Sequence, residues 1–315
     1  MVDKKKTHVR HALLVGCGNI GGALLKLWAS LDIFSEIIVV QPSLAFAEDF
    51  ACYDSIEFVN DVKNIPSDFI PDVVVLAIKP QIADVVIPDL RPYIISIAEP
   101  TISEDFLGQR DVGSNCDKTH VLQAPTTKIP DRGRLCRDAL VVSALAGTSL
   151  DKLALLTSED CRIVRIMPTI AIKTSQSVNL AFANENVSVA DIETMEKIIG
   201  LSGEITWVRE ENHLDILTPI SGSGPAYFFL LAEILVEETV KLGIDEDTAR
   251  QIVQGTLVGS ASLVSDNSDF AGLRKSVTSR KGVTEAALEI MSSGMRNVME
   301  ESLKAATQRL EELRK

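Results

Sequence analysis

The sequence has no Cys-x-x-Cys pair. Its five cysteines, Cys17, Cys52, Cys116, Cys136 and Cys161, are odd in number and widely spaced. That argues against both a zinc site and a disulfide framework, so no metal is expected. Reduced thiols in a cytoplasmic protein fit this pattern. An extended basic patch is also missing. Lys and Arg number 31 against 44 Asp and Glu, a formal charge of −13, and the basic runs are only Lys4-Lys5-Lys6 and Arg280-Lys281. An acidic surface repels phosphate backbones, so nucleic acid is not an expected partner. No apolar run approaches the roughly 20 residues that span a bilayer. The short one at 12–15 leads into glycines, not into a signal-peptide cleavage site. A soluble chain without a membrane partner is expected.

What is present is enough to build a large core. With 315 residues, 46% of them hydrophobic, the length suggests about two domains. In the first half, short apolar runs at 9–15, 37–40, 56–59, 73–78, 140–145 and 161–167 are strand candidates. Helical patterns at 20–31 and 45–53 fall between the early ones. This alternation predicts a parallel, doubly wound sheet. The run VVVLAI at 73–78 reads as a strand buried on both faces. Residues 92–137 break the rhythm with Gly, Pro, Asp, Thr and Arg and little periodicity. They form either a surface insertion or a lid or oligomer contact. From 189 onward helical periodicity dominates, apart from a strand at 205–208. Residues 226–242 are apolar on most sides, as in a helix packed against several neighbours or another subunit. Asp245 is placed to cap the next helix, which runs to about 264. Two helices, 283–291 and 295–313, close the chain. The division expected is 1–184 for the sheet domain and 185–315 for the helical one.

Gly16-Cys17-Gly18-Asn19-Ile20-Gly21 is a GxGxxG that follows an apolar strand and opens an amphipathic helix, the context in which this pattern binds a dinucleotide. Gly16 permits the tight turn, Gly18 lets the backbone approach a pyrophosphate, and Gly21 lets helix and strand pack closely. The helix N-terminus, from Asn19 and Ile20, offers N–H groups to the anion. After the second strand an NAD site usually has Asp or Glu, whereas this chain reads Val40-Gln41-Pro42-Ser43. With no carboxylate there to repel a 2′-phosphate, and Ser43 able to donate to one, NADPH is favoured and NADH is the alternative. Gln41, Ser43 and Asn60 are the candidate contacts at this end of the cofactor.

Three further segments carry a resemblance. Ala77-Ile78-Lys79-Pro80-Gln81 follows the buried strand, Ser221-Gly222-Ser223-Gly224-Pro225-Ala226-Tyr227 spells SGSGPAY, and Leu273-Arg274 leads through Thr278-Ser279 to Gly282 and Thr284. In order and spacing these resemble pyrroline-5-carboxylate reductases over almost the whole chain except 92–137. The resemblance implies an α/β Rossmann-type doubly wound N-terminal domain plus an all-α C-terminal dimerisation domain that interleaves with its twin. Homodimers or larger rings of dimers follow, with the active site between the cofactor and the partner's helices. It also implies reduction of a small cyclic imine carboxylate, 1-pyrroline-5-carboxylate, to L-proline with NAD(P)H. The cofactor performs the redox chemistry while the protein binds and orients.

The residues then take roles. Ala77, Lys79 and Pro80 lie beside the cofactor, Lys79 in a structural or edge-positioning part. Ser279, Gly282, Val283 and Thr284 precede or open a helix, whose N–H groups can hold the substrate carboxylate. The Thr284 hydroxyl, able to donate or accept, faces the ring nitrogen as the candidate catalytic group, or caps the helix, or both. No His or Cys nucleophile is required. The SGSGPAY segment is read as architectural, with substrate contact by Ser221 or Ser223 as the other reading. The pattern departs from the family at two loops. Met167-Pro168 is followed by Thr169-Ile170-Ala171 in place of Asn-Thr-Pro, and Arg280-Lys281 stand where Pro-Gly is usual. Asn267 stands where a glutamate is usual. These departures keep two alternatives open, a related imine or β-hydroxyacid reductase and a non-catalytic NADP-binding scaffold.

Overall fold

The computed structural model describes residues 10–95, 139–265 and 269–314. The basic run at 4–6, Asn267 and nearly all of the irregular stretch at 92–137 lie outside the described residues. Among the described residues, eight strands form one sheet: β1 His11–Val15, β2 Glu36–Val40, β3 Ile56–Val59, β4 Val73–Leu76, β5 Leu140–Ser143, β6 Ile163–Met167, β7 Asn179–Ala183 and β8 Ile205–Trp207. Their order is β3-β2-β1-β4-β5-β6-β7-β8. The first six pair in parallel, β7 runs antiparallel to β6, and β8 is parallel to β7. Strand order therefore reverses between β1 and β4, the switch point at which doubly wound sheets bind ligands.

β-branched and leucine side chains in β1, β2, β4, β5 and β6 are buried on both faces, as a covered parallel sheet requires. One face carries α1 (Asn19–Leu31) and α5 (Val189–Ile198). Trp28 of α1 is fully buried there, donates from Nε1 to the Ile198 carbonyl at 2.7 Å, and meets Phe34 edge-on at 5.2 Å. The other face carries α2 (Ala83–Asp89), α3 (Arg91–Ile94) and α4 (Leu150–Leu156).

Five expectations need correction. The helix expected at 45–53 is two single 3-10 turns, Leu44–Phe46 and Glu48–Phe50. Phe50 is the only buried side chain in them, so no apolar stripe supports a longer helix. The strand expected at 73–78 stops at Leu76, because Ala77 turns its carbonyl against the Gly16 turn. β7 was not anticipated. Position 184 falls between β7 and α5, and β8 follows it in the same sheet. The two closing helices are one, α10 (Val283–Arg314). It runs through Gly294, a residue that weakens a helix by about 1 kcal/mol without ending it. Finally, the stretch Glu211–Lys241 is long and apolar enough to cross a bilayer by length and composition alone. It comprises α6 (Glu211–Ser221) and α7 (Gly224–Lys241), joined through Ser221–Ser223. Two short runs of moderate hydropathy add up where the backbone stays helical.

The helical region, with α8 (Glu246–Ser265) and α9 (Phe270–Ser276), is open. Of α7 only Gly224 is buried, and of the described side chains of α10 only Leu310 is. Phe228, Phe229, Leu230, Ile252, Ile290 and Val298 are exposed, far more apolar surface than a monomer leaves in water.

Trp28→Ala empties a fully buried site and orphans the Ile198 carbonyl. It is expected to lower the stability of the sheet domain by about 3–5 kcal/mol, read from urea unfolding. A loss below about 1 kcal/mol would mean that α1 is not anchored through Trp28.

Candidate functional site

The turn after β1 is held against the end of β4. Gly16 has φ 96°, and its N–H donates to the Val40 carbonyl at 2.9 Å. A Cβ on Gly16 would lie 2.6 Å from the Ala77 carbonyl oxygen, and one on Gly21 would lie 2.1 Å from the Gly16 oxygen. Both approaches exclude any other residue. At Gly18 a Cβ would meet nothing within 4 Å, so its lack of a side chain leaves open space in front of α1. Gly18 caps that helix without a side-chain hydrogen bond. The first-turn N–H groups at Asn19, Ile20 and Gly21 therefore face outward without intrahelical partners, an arrangement suited to an anion. Backbone shape, open space and helix end together fit a dinucleotide pyrophosphate.

Around this turn the carboxyl ends of β1 to β4 gather the other candidates. Gln41, after β2, accepts the Cys17 N–H on Oε1 at 2.8 Å, so it braces the glycine turn from the side where an acidic residue is common. Ser43 and Asn60 are exposed, and Asn60 accepts from Asn64 Nδ2 at 2.5 Å. Ala77 donates its N–H to the Val15 carbonyl at 2.8 Å. Lys79 is exposed, and Pro80 opens a 3-10 turn after it. Cys17 is buried in the turn, and burial pushes its thiol above the usual range. That shift favours the protonated thiol over the reactive thiolate.

Two groups escaped the sequence reading. A cleft of about 750 Å³ runs beside Gly18 along α1, with Lys26, Asp49, Tyr53, Lys173 and Ser175 in its lining. Its signal was the small pair Gly22-Ala23, which leaves room beside α1. The second group is ionic. Arg165 on β6 is fully buried and reaches Glu211 Oε1 at 2.5 Å and Asp215 Oδ1 at 3.4 Å. Its signal was a cation inside the apolar run IVRIM. Just beyond β6, Thr169 does not face open space. It is buried, accepts from or donates to Ser177 Oγ at 3.2 Å, and connects through Ser177 to Asn179 and Ser202.

The candidate substrate loop lies elsewhere. Ser279 is exposed, Gly282 and Thr284 are half-buried, and Val283 is 89% exposed. Lys281 adopts φ 57°, and its N–H donates to Glu285 Oε2 at 2.6 Å. Ser279 accepts the Gly282 N–H at 3.0 Å. None of these residues lines the cleft beside the glycine turn. Thr284 stands at one end of α10 and the buried Leu310 near the other, about 39 Å apart at 1.5 Å per residue.

Comparison with known proteins covers both halves. A family model described as "Pyrroline-5-carboxylate reductase dimerisation" matches residues 211–313. One described as "NADP oxidoreductase coenzyme F420-dependent" matches residues 11–100. A pyrroline-5-carboxylate reductase of Haemophilus influenzae is 28% identical over 311 residues, covering 97% of this chain and 98% of that one. One of Glycine max is 30% identical over 213 residues, covering 67% and 76%. The solved structure of a pyrroline-5-carboxylate reductase from Coxiella burnetii superposes with a TM-score of 0.75 at 27% identity, covering 98% of this chain and all of that one.

The glycine geometry separates two variants. Gly18→Ala is expected to leave the melting temperature unchanged while weakening NADPH binding about tenfold or more, because its methyl enters the open space. Gly21→Ala is expected to lower the melting temperature as well. Equal effects of the two on folding would contradict the geometry. In thiol labelling at pH 8 read by peptide mass, the buried Cys17 is expected to remain unlabelled while the exposed Cys52 reacts. Fast labelling of Cys17 in the folded protein would overturn its assignment as a protonated structural thiol.

Proposed function

The chain belongs to the pyrroline-5-carboxylate reductase family, and from that premise we propose that it reduces 1-pyrroline-5-carboxylate to L-proline with NADPH. The observation that carries the reading is the glycine turn, built at the switch point of the sheet with open space before the N-terminus of α1. When bound, the nicotinamide supplies the hydride that the imine carbon accepts.

The protein's own residues bind and orient. Gly16, Gly18, Asn19, Ile20 and Gly21 hold the pyrophosphate. Gln41 keeps the turn in shape, and Ser43 and Asn60 face the adenosine end. Ala77, Lys79 and Pro80 border the nicotinamide side. No carboxylate follows β2, which leaves a 2′-phosphate unopposed and favours NADPH over NADH. At the other end, backbone N–H groups from Ser279 to Thr284 hold the substrate carboxylate at the start of α10. Arg280 and Lys281 add positive charge to that loop. Thr284 places its hydroxyl at the ring nitrogen, where electron density and a proton arrive. Holding both reactants in near-attack geometry accounts for much of the rate.

The position of Thr284, far along α10 from Leu310, supports a site completed by a second copy, whose helices cover the exposed faces of α7, α8 and α10. A ring of such dimers extends the same reading, in a soluble cytoplasmic enzyme.

The test follows NADPH absorbance with and without pyrroline-5-carboxylate, repeated with NADH, with proline as the product sought. Substrate-dependent oxidation is expected, faster with NADPH. Thr284→Ala is expected to lower kcat about 100-fold or more while NADPH affinity stays unchanged. Cofactor binding without imine consumption would overturn the reading, and an unchanged kcat would remove Thr284 from the chemistry.

A further inference from the structure

The joint between sheet and helical region has little apolar substance. Its fully packed side chains are Met167 at the end of β6, Leu180 on β7 and Leu214 on α6, with Ala146, Phe182, Val208 and Leu217 partly buried around them. Into this small contact the chain places three charges. Arg165, wholly shielded from solvent, stands two residues before Met167 and pairs with Glu211 and Asp215, which lie four residues apart on one face of α6. Glu211 Oε1 also accepts the N–H of Leu150 at 2.7 Å, the residue that opens α4 after the β5 loop. One carboxylate thus ties together β6, the β5–α4 connection and the first helix of the other region. The Nε of Arg165 has no hydrogen-bond partner among the described residues.

A buried ion pair is weak as a stabiliser, because desolvation offsets its attraction, and apolar replacements of similar volume often do as well. What such a cluster supplies is direction. Arg165 reaches its two partners at fixed points, and a planar guanidinium tolerates little change of angle. Arg165 is level with Val15, Leu76 and Ser143, the last residues of β1, β4 and β5, and so stands at the carboxyl rim of the sheet, on the β4–β6 side of the switch point. The helix it fixes, α6, packs on α10 and leads into α7.

We propose that Glu211, oriented by Arg165, is a positioning residue for the reduction: it sets the angle at which the helical region meets the cofactor rim, and, because that region carries the contact with the second copy, the approach of the second copy's substrate loop to the nicotinamide. The proposal rests on the reductase reading above. Asp215 shares the guanidinium and keeps Arg165 directed at α6. Neither carboxylate touches substrate or cofactor, and their effect lies in geometry alone.

A neutral cluster separates positioning from stability. The triple variant Arg165→Met, Glu211→Gln, Asp215→Asn keeps the volumes and an acceptor for the Leu150 N–H. It is expected to fold, to keep the oligomeric state of the wild type by size-exclusion chromatography, and to bind NADPH with an unchanged Kd by fluorescence titration. Its kcat is expected to fall about 10- to 100-fold, as small misplacements of reactants do. The isotope effect with 4-deuterated NADPH on kcat is expected to rise as hydride transfer becomes limiting. A folded triple variant with kcat within about twofold of wild type would reduce the cluster to a structural contact. Should it fail to fold, Glu211→Asp takes its place, since the charge remains but the carboxylate is one methylene short of Leu150. The same split is expected there, and full activity overturns the proposal. The wild type is run alongside, and an inert wild type removes the reductase reading and this proposal with it.

Discussion

The cofactor edge of this protein depends on how closely the turn after β1 can lie against the end of β4. The Ala77 carbonyl sits where any side chain on Gly16 would be, and the Gly16 carbonyl sits where one on Gly21 would be. These contacts pull the N-terminus of α1 down to the sheet at the point where strand order reverses. The Cys17 N–H is then within reach of Gln41, Ala77 N–H pairs with Val15, and the ends of four strands share one rim. Without that approach α1 would stand off the sheet and its first-turn N–H groups would face no common space.

From this rim the chain has to reach a second region whose apolar faces it does not cover. In the inner strands of the sheet, burial is on both faces. In α7 to α10 most large apolar side chains stay exposed. A family model described by dimerisation matches residues 211–313, and the chain forms a homo-oligomer. Stability of the helical region is then inseparable from association. The joint between the two regions is small and ionic, which suits a part that must keep an angle.

Legibility along the chain followed the range of the interactions. β1, α1, β2 and β4 were readable because each repeats a local pattern: β-branched runs for covered strands and a glycine turn followed by an amphipathic helix. β7 was not. Its Asn179 is buried and satisfied by Ser177 and Ser202, partners that only the folded chain brings near, so a polar residue hid a strand. The segment at 45–53 had helix-like spacing, but only Phe50 is buried along it, with Tyr53 packed partly buried at its end. Gly294 lies in the gap between the two helices expected at 283–291 and 295–313, yet its cost is too small to end a helix of 32 residues.

What the sequence by itself determined is therefore what nearest neighbours decide: the dinucleotide turn, the strands around it, the lack of a carboxylate after β2, and the SGSGPAY and Thr284 segments that carry the family resemblance. The tertiary structure alone decided the strand order and the partners that Arg165 finds 46 and 50 residues away on α6. It alone placed Thr284 at the far end of a long helix from Leu310. The reason is physical. A turn or a buried strand is specified by backbone geometry and side-chain polarity within a few residues, whereas an ion pair across a joint exists only once distant segments have been folded together.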